Sequence, residues 1–280
     1  MYNYKLVQTD ALSLKECSNL LSLVFPATNK FTDEFIEWQY HKNPNGSIVG
    51  FNAYCDDVLA AHYVTQPMFA FVNGKKTKGL LSLNTATHPE HRGKGLFTKL
   101  AVLTYEFAKN NGYKFVYGVA NDNSTHGFIN KLDFQLVSPL KTKIVFGKII
   151  HKQVLIDYEF KRSWTQEDLK WRLSNPSLKY YLHKNQITVP TGKLGVNAIM
   201  HHYTDRFNMN TLIENLKALN LIKLYVGIDN SIDFKKSFYF NVPKRFKSSP
   251  LNLIFKDLTS KRIKLDPKKI KFELIDFDGY

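Results

Sequence analysis

Residues 79–97 read Gly79-Leu80-Leu81-Ser82-Leu83-Asn84-Thr85-Ala86-Thr87-His88-Pro89-Glu90-His91-Arg92-Gly93-Lys94-Gly95-Leu96-Phe97. The first nine residues predict a strand, and Leu96, Leu100, Leu103 and Phe107 recur at i, i+4, i+7 and i+11, the stripe of a half-buried helix. Between them lie two glycines and two cations. The N-terminus of a helix leaves backbone N–H groups unpaired and carries partial positive charge. Gly93 and Gly95 let a ligand approach the backbone closely, and Arg92 and Lys94 add charge, so the turn predicts a diphosphate cradle. It is not a Walker loop, because Gly95-Leu96 follows Lys94 where serine or threonine is required. Nor is it a dinucleotide fingerprint, which needs glycine where Thr98 stands.

Working outward, residues 4–9 predict a strand and Ser13 a capped helix to about Val24, with Glu16 completing a capping box. Thr32-Asp33-Glu34 opens a second helix that stops before Asn43-Pro44. Residues 47–55, 58–65, 67–72 and 77–87 predict four strands, the last two joined at Asn73-Gly74. After the glycine turn and its helix come a strand over 114–119, a short helix from Asn121 to about Leu132, and a strand from Phe134. Antiparallel hairpins plus a crossover helix make a mixed α/β sheet.

The order strand, HPEHRGKG turn, helix, strand and Asn121-x-x-Ser124 helix resembles the GNAT superfamily, the Gcn5-related N-acetyltransferases. Arg92 and Gly95 match its Gln/Arg-x-x-Gly-x-Gly/Ala loop, while Phe97 replaces the last small residue. Lys131-Leu132-Asp133-Phe134 resembles its Lys-Leu-Gly-Phe, with Asp133 for glycine. The resemblance covers residues 78–137. It implies transfer of an acetyl group from acetyl-CoA, as co-substrate and without a metal, to a primary amine of a small molecule, with an amino sugar or nucleotide-linked amino sugar as acceptor. Backbone groups of Thr85, Ala86 and Thr87 are then expected along the pantetheine arm, amides of Arg92, Gly93, Lys94, Gly95 and Leu96 on the diphosphate, and Asn121 and Ser124 beside the cofactor. The tyrosine that protonates the departing thiolate in many members is replaced by Ile129. Proton transfer falls to candidates among Glu34, Glu37, His62 and His126. Two other readings stay open: an acyl-CoA-binding module without turnover, and a transferase using aminoacyl-tRNA.

Thr32-Asp33-Glu34-Phe35-Ile36-Glu37-Trp38 with Asn43-Pro44 has an echo in Thr165-Gln166-Glu167-Asp168-Leu169-Lys170-Trp171 with Asn175-Pro176. Strands over 178–189 and 193–203, a helix over 210–219 and a strand over 223–228 follow it. No glycine lies between His202 and Asn208, which predicts no phosphate cradle there. The expected organisation is tandem: an acyl-CoA-binding half over 1–140 and a degenerate half over 141–280 that is structural or walls the acceptor site. The final residues Asp276–Tyr280 are expected beside a strand.

The 280 residues carry a net charge of +15, from 39 lysines and arginines against 24 acidic residues, but no block of lysines forms a nucleic-acid motif. No apolar run of transmembrane length and no leader pattern is found, which predicts a cytoplasmic protein without a membrane partner, monomeric or homodimeric. Cys17 and Cys55 lack metal spacing and read as buried thiols.

Overall fold

A computed structural model describes residues 1–152, 156–183, 185–192, 195–202, 213–215, 221–243 and 249–277. The elements are β1 (Tyr2–Leu6), α1 (Ala11–Val24), α2 (Asp33–Tyr40), β2 (Val49–Cys55), β3 (Val58–Val72), β4 (Lys75–Thr87), α3 (Leu96–Asn110), β5 (Phe115–Ala120), α4 (Asp122–His126), β6 (Gln135–Pro139), β7 (Lys141–Phe146), β8 (Phe160–Arg162), α5 (Gln166–Leu173), β9 (Tyr181–His183), β10 (Gln186–Pro190), β11 (Val196–His202), β12 (Glu214–Asn215), β13 (Ile222–Asp229), β14 (Phe238–Asn241), β15 (Asn252–Asp257) and β16 (Ile270–Phe272). The described strands join one mixed sheet whose main path runs β12-β9-β10-β11-β13-β16-β8-β3-β4-β5-β15-β6. The mixed α/β fold read from the sequence is therefore observed.

The chain crosses between its halves more than once. β15, far along the sequence, pairs antiparallel with both β5 and β6 and so sits inside the sheet of the first 140 residues. The two echoed helices also meet. Thr32 and Thr165 each cap their helix, accepting from Phe35 N–H and Asp168 N–H. Trp38 and Trp171 stack at 5.0 Å, and each indole N–H donates to the other's backbone carbonyl, at 2.9 and 3.1 Å. A reciprocal contact of this kind is what a pseudo-twofold axis between two copies of one motif produces.

Four local expectations are corrected. Asp10, not Ser13, caps α1: its carboxylate accepts from Leu12 N–H and Ser13 N–H, and Glu16 instead accepts from the Tyr54 hydroxyl. The two strands expected either side of Pro67 are one, β3. Its edge pairs with β2 as far as Thr65 and with β8 from Ala70, so Pro67 falls where no ladder bond is required of it. The helix expected over 210–219 lies largely outside the described residues, but Glu214–Asn215 within it is a strand pairing with β9. Cys17 is buried, with its thiol pushed up to about 12 by burial, whereas Cys55 is only half-buried. Residues 278–280 lie outside the described residues.

Candidate active site

The site begins where two parallel strands part. β4 and β5 pair only through Leu80 with Val116 and Leu81 with Tyr117. Beyond them β4 bulges against β3, and Asn84 takes a left-handed φ of 43° there. Asparagine tolerates that conformation better than most side chains. Here its amide donates to the Gln39 side-chain oxygen at 2.5 Å and to the Tyr40 hydroxyl at 3.1 Å. The strand pair cannot close after such a bend, and a cavity of about 360 Å³ opens between the diverging ends. Ser82, Asn84 and Thr85 line it from β4, Gly118 and Val119 from β5, and Asn121 and Ser124 from the start of α4. Phe25 and Lys30, from the α1–α2 connection, and Phe277 wall the far side.

β4 then runs out through His88 into the glycine turn. Gly93 and Gly95 have φ of 75° and 74°, and a Cβ added to either would meet nothing within 4 Å, so open space stands above both. Gly95 is the N-cap of α3, and no side chain caps that helix. Its first N–H groups are therefore available to a ligand, with the exposed Arg92 and Lys94 beside them. Tyr2 braces the turn, its hydroxyl 2.8 Å from His91 Nδ1. The diphosphate cradle read from the sequence thus has fitting backbone geometry, and a diphosphate-bearing cofactor suits it. Phe97 is accommodated by Gly127: its ring lies against the glycine, where a Cβ would come within 2.9 Å, and packs edge-on against Phe128. Position 127 was not singled out from the sequence, because its need for glycine arises from a side chain 30 positions away.

The expected site residues divide into groups. Thr85, Asn121 and Ser124 converge on the cavity, and Ala86 and Thr87 continue β4 toward the turn. Asn121 and Ser124 also cap α4 reciprocally, Ser124 N–H donating to Asn121 Oδ1 at 3.0 Å and Asn121 N–H to Ser124 Oγ at 3.1 Å. The four proton-transfer candidates lie apart from the cavity lining. His62 is fully buried, its Nε2 2.8 Å from the Tyr40 hydroxyl and its Nδ1 2.6 Å from Asn52 Oδ1. Burial lowers its pKa to about 3, so it is a neutral core imidazole. Glu37 is paired with Lys42 at 3.1 Å. Glu34 and His126 are exposed.

Sequence reasoning missed Ser82, Gly118 and Phe277. Ser82 Oγ is 2.9 Å from the Tyr63 hydroxyl, which is 2.7 Å from that of Tyr105, a string of hydroxyls behind the cavity wall. Burial pushes the Tyr63 phenol up to about 12. Nothing local marks Ser82 in a strand. Only the parting of β4 from β5 exposes it.

The acetyltransferase (GNAT) domain family matches residues 5–137. No functionally curated protein matches the chain. Among solved structures, a conserved Enterococcus faecalis V583 protein described as a probable N-acyltransferase is similar at TM-score 0.60 and 10% identity, over 92% of this chain and 73% of the other. A GCN5-related N-acetyltransferase from Anabaena variabilis is similar at TM-score 0.60 and 11% identity over the same shares. Eis1 from Mycobacterium abscessus gives 0.52 and 10%, over 80% of this chain and 65% of its own. At these identities the likeness is one of fold. No helix among the described residues is long and apolar enough to cross a membrane. Residues 5–137 thus match the acetyltransferase (GNAT) domain family in sequence, and the fold and the glycine turn at the end of a parted strand agree with that match.

Proposed function

We propose that this chain transfers an acetyl group from acetyl-CoA to a primary amine of a small molecule, with its donor site in residues 1–140 and with residues 141–280 completing the walls. The observation that carries this reading is that β4, which lines the open cavity between β4 and β5, runs on into an uncapped, cation-flanked helix start. Amides from Arg92 to Leu96 hold the diphosphate. Backbone groups of Thr85, Ala86 and Thr87, freed where β4 leaves β5, align the pantetheine arm and polarise the carbonyl. The thioester of the bound donor supplies the acyl group. Phe25 and Lys30 face the acceptor, a surface suited to a ring-bearing amine with an anionic substituent; a nucleotide-linked amino sugar has both features. The amine must lose a proton to attack. In this reading the polar lining of Ser82, Asn84 and Thr85 orders the water through which that proton leaves, with Glu34, Glu37 and His126 outside the cavity and His62 sealed in the core.

Calorimetric titration of the full chain with acetyl-CoA tests the site. Micromolar binding is expected, weakened about 100-fold or more in an Arg92→Ala, Gly95→Asp variant that still folds. Equal binding by the two proteins would discard the site. Ile129, which packs with the core and brings no hydroxyl, gives a second outcome meaning. Tight binding without CoA release across a panel of amines would make the domain a binding module instead.

A further inference from the structure

A second opening lies in the other half of the sheet, and its chemistry differs. It is a cleft of about 210 Å³ at the ends of β8, β11 and β16. Lys161 and Lys271 stand directly opposite each other on the parallel pair β8 and β16, an arrangement that like charges disfavour. Asp229 of β13 lies opposite Lys271 on its other side, and no carboxylate stands in that place for Lys161, whose other neighbour is Phe71. Arg162 follows Lys161 in β8, its guanidinium stacked 4.1 Å from the centre of the Trp164 ring and donating to the Tyr117 hydroxyl and the Asp276 carbonyl.

The carboxylates beside these cations are already engaged. Glu273 accepts from His202 N–H at 2.9 Å and lies 2.7 Å from His201 Nδ1 and 3.8 Å from Lys271. Burial alone would raise its carboxyl; the adjoining His201 and Lys271, with the hydrogen bonds from both histidines, outweigh that and hold it ionised, well below the usual range. Asp276 accepts from Trp164 Nε1–H and from Glu273 N–H. Three cations thus stand against the committed Glu273, against Asp276, whose ionisation burial opposes, and against Asp229, which lies opposite Lys271 on β13 and accepts from the Tyr158 hydroxyl. His201 completes the cleft. Its side chain is 10% exposed, Nδ1 is taken by Glu273, and Nε2 has no protein partner among the described residues.

We propose that this cleft is a second small-molecule site, binding a phosphate group, free or carried on a small molecule, through Lys161, Arg162 and Lys271 with His201 Nε2 facing it. Cationic donors around a partly desolvated pocket recognise phosphate by charge-assisted hydrogen bonds, and Arg162, fixed on Trp164, is preorganised for them. The proposal is independent of the acetyl-transfer reading.

The test uses the full chain carrying Arg92→Ala and Gly95→Asp, so that the glycine turn does not compete. Inorganic phosphate is titrated in, followed by calorimetry and by the imidazole NMR signals, with His201 assigned through His201→Gln. Saturable binding that moves the His201 signals is expected, weakened about tenfold by Arg162→Gln and severalfold by the exposed Lys161→Gln. Arg162→Lys, with a melting curve, separates loss of the site from loss of the fold. A tighter response to phenyl phosphate would identify a phosphomonoester, and an equal one inorganic phosphate. No saturation, indifference to Lys161→Gln, or equal binding of acetate would overturn the proposal.

Discussion

The two halves of the sheet use the same device and end differently. In the first half, β4 and β5 pair for two residues and part, leaving an open cavity. In the second, β11 and β13 run parallel from Val196 with Ile222 to Ala198 with Leu224 and also part. Both leading strands pair antiparallel with the strand before them through a ladder that shifts register, at β3–β4 and at β10–β11. The gap between β11 and β13 is filled. β16 reaches in so closely that Gly227 has no room for a side chain beside the Phe272 carbonyl, and Glu273 takes the His202 N–H that the parted strand leaves free. A parted pair of parallel strands always exposes backbone donors, which need a partner. In this molecule one set faces a cavity and the other is satisfied by the chain itself.

The largest effect should come from filling the gap between β4 and β5 as the gap between β11 and β13 is filled. Gly118→Leu places a side chain where a Cβ already lies 3.2 Å from Ser82 Cβ, plugging the cavity at its root. Acetyl transfer should fall about 100-fold or more, with the fold retained. Unimpaired turnover would show that the cavity is not the reaction site.

Emptying the filled gap between β11 and β13 should cost stability instead. Glu273→Ala strips His201, the His202 N–H and Lys271 of their shared carboxylate, at about 3 kcal/mol, read by urea unfolding. The pH dependence has a definite sign. A carboxyl held below its ordinary 4.5 adds stability above that pH and loses it as pH falls further. Glu273→Gln should flatten that acid limb. Asp276, raised by burial and by Glu273, acts oppositely: its ionisation costs stability as pH rises through its pKa.

His62 gives an intermediate effect. Its pKa falls from 6.5 to about 3 on folding, so its contribution is complete above pH 6.5 and is lost as pH falls toward 3. The slope in that window approaches about 1.4 kcal/mol per pH unit. Urea unfolding at pH 7, 6 and 5 should show it, and His62→Gln should remove it. A kinetic pKa near 6.5 that vanished in this variant would instead return His62 to the reaction.

The smallest effect concerns the floor of the turn. Gly127→Ala brings a methyl within 2.9 Å of the Phe97 ring and should tilt the first turn of α3, weakening acetyl-CoA binding about threefold. A change of 100-fold would mean that Phe97 itself lines the donor site.

By itself, the sequence determined what is local. Two glycines with space above them, a helix start with no capping side chain and a strand running straight into both are properties of residues 79–97, because backbone conformation there depends on near neighbours. The echo around Trp38 and Trp171 was legible for the same reason. Tertiary structure decided what depends on distant neighbours. It brought β15 between β5 and β6, exposed Ser82 and Phe277 to the cavity, and sealed His62 behind Tyr40 and Asn52. It also carried Glu273 some 70 residues back to His201 and His202. Whether a histidine meets solvent, a carboxylate or a core is settled by packing between segments far apart in the chain, and no spacing along the sequence encodes it.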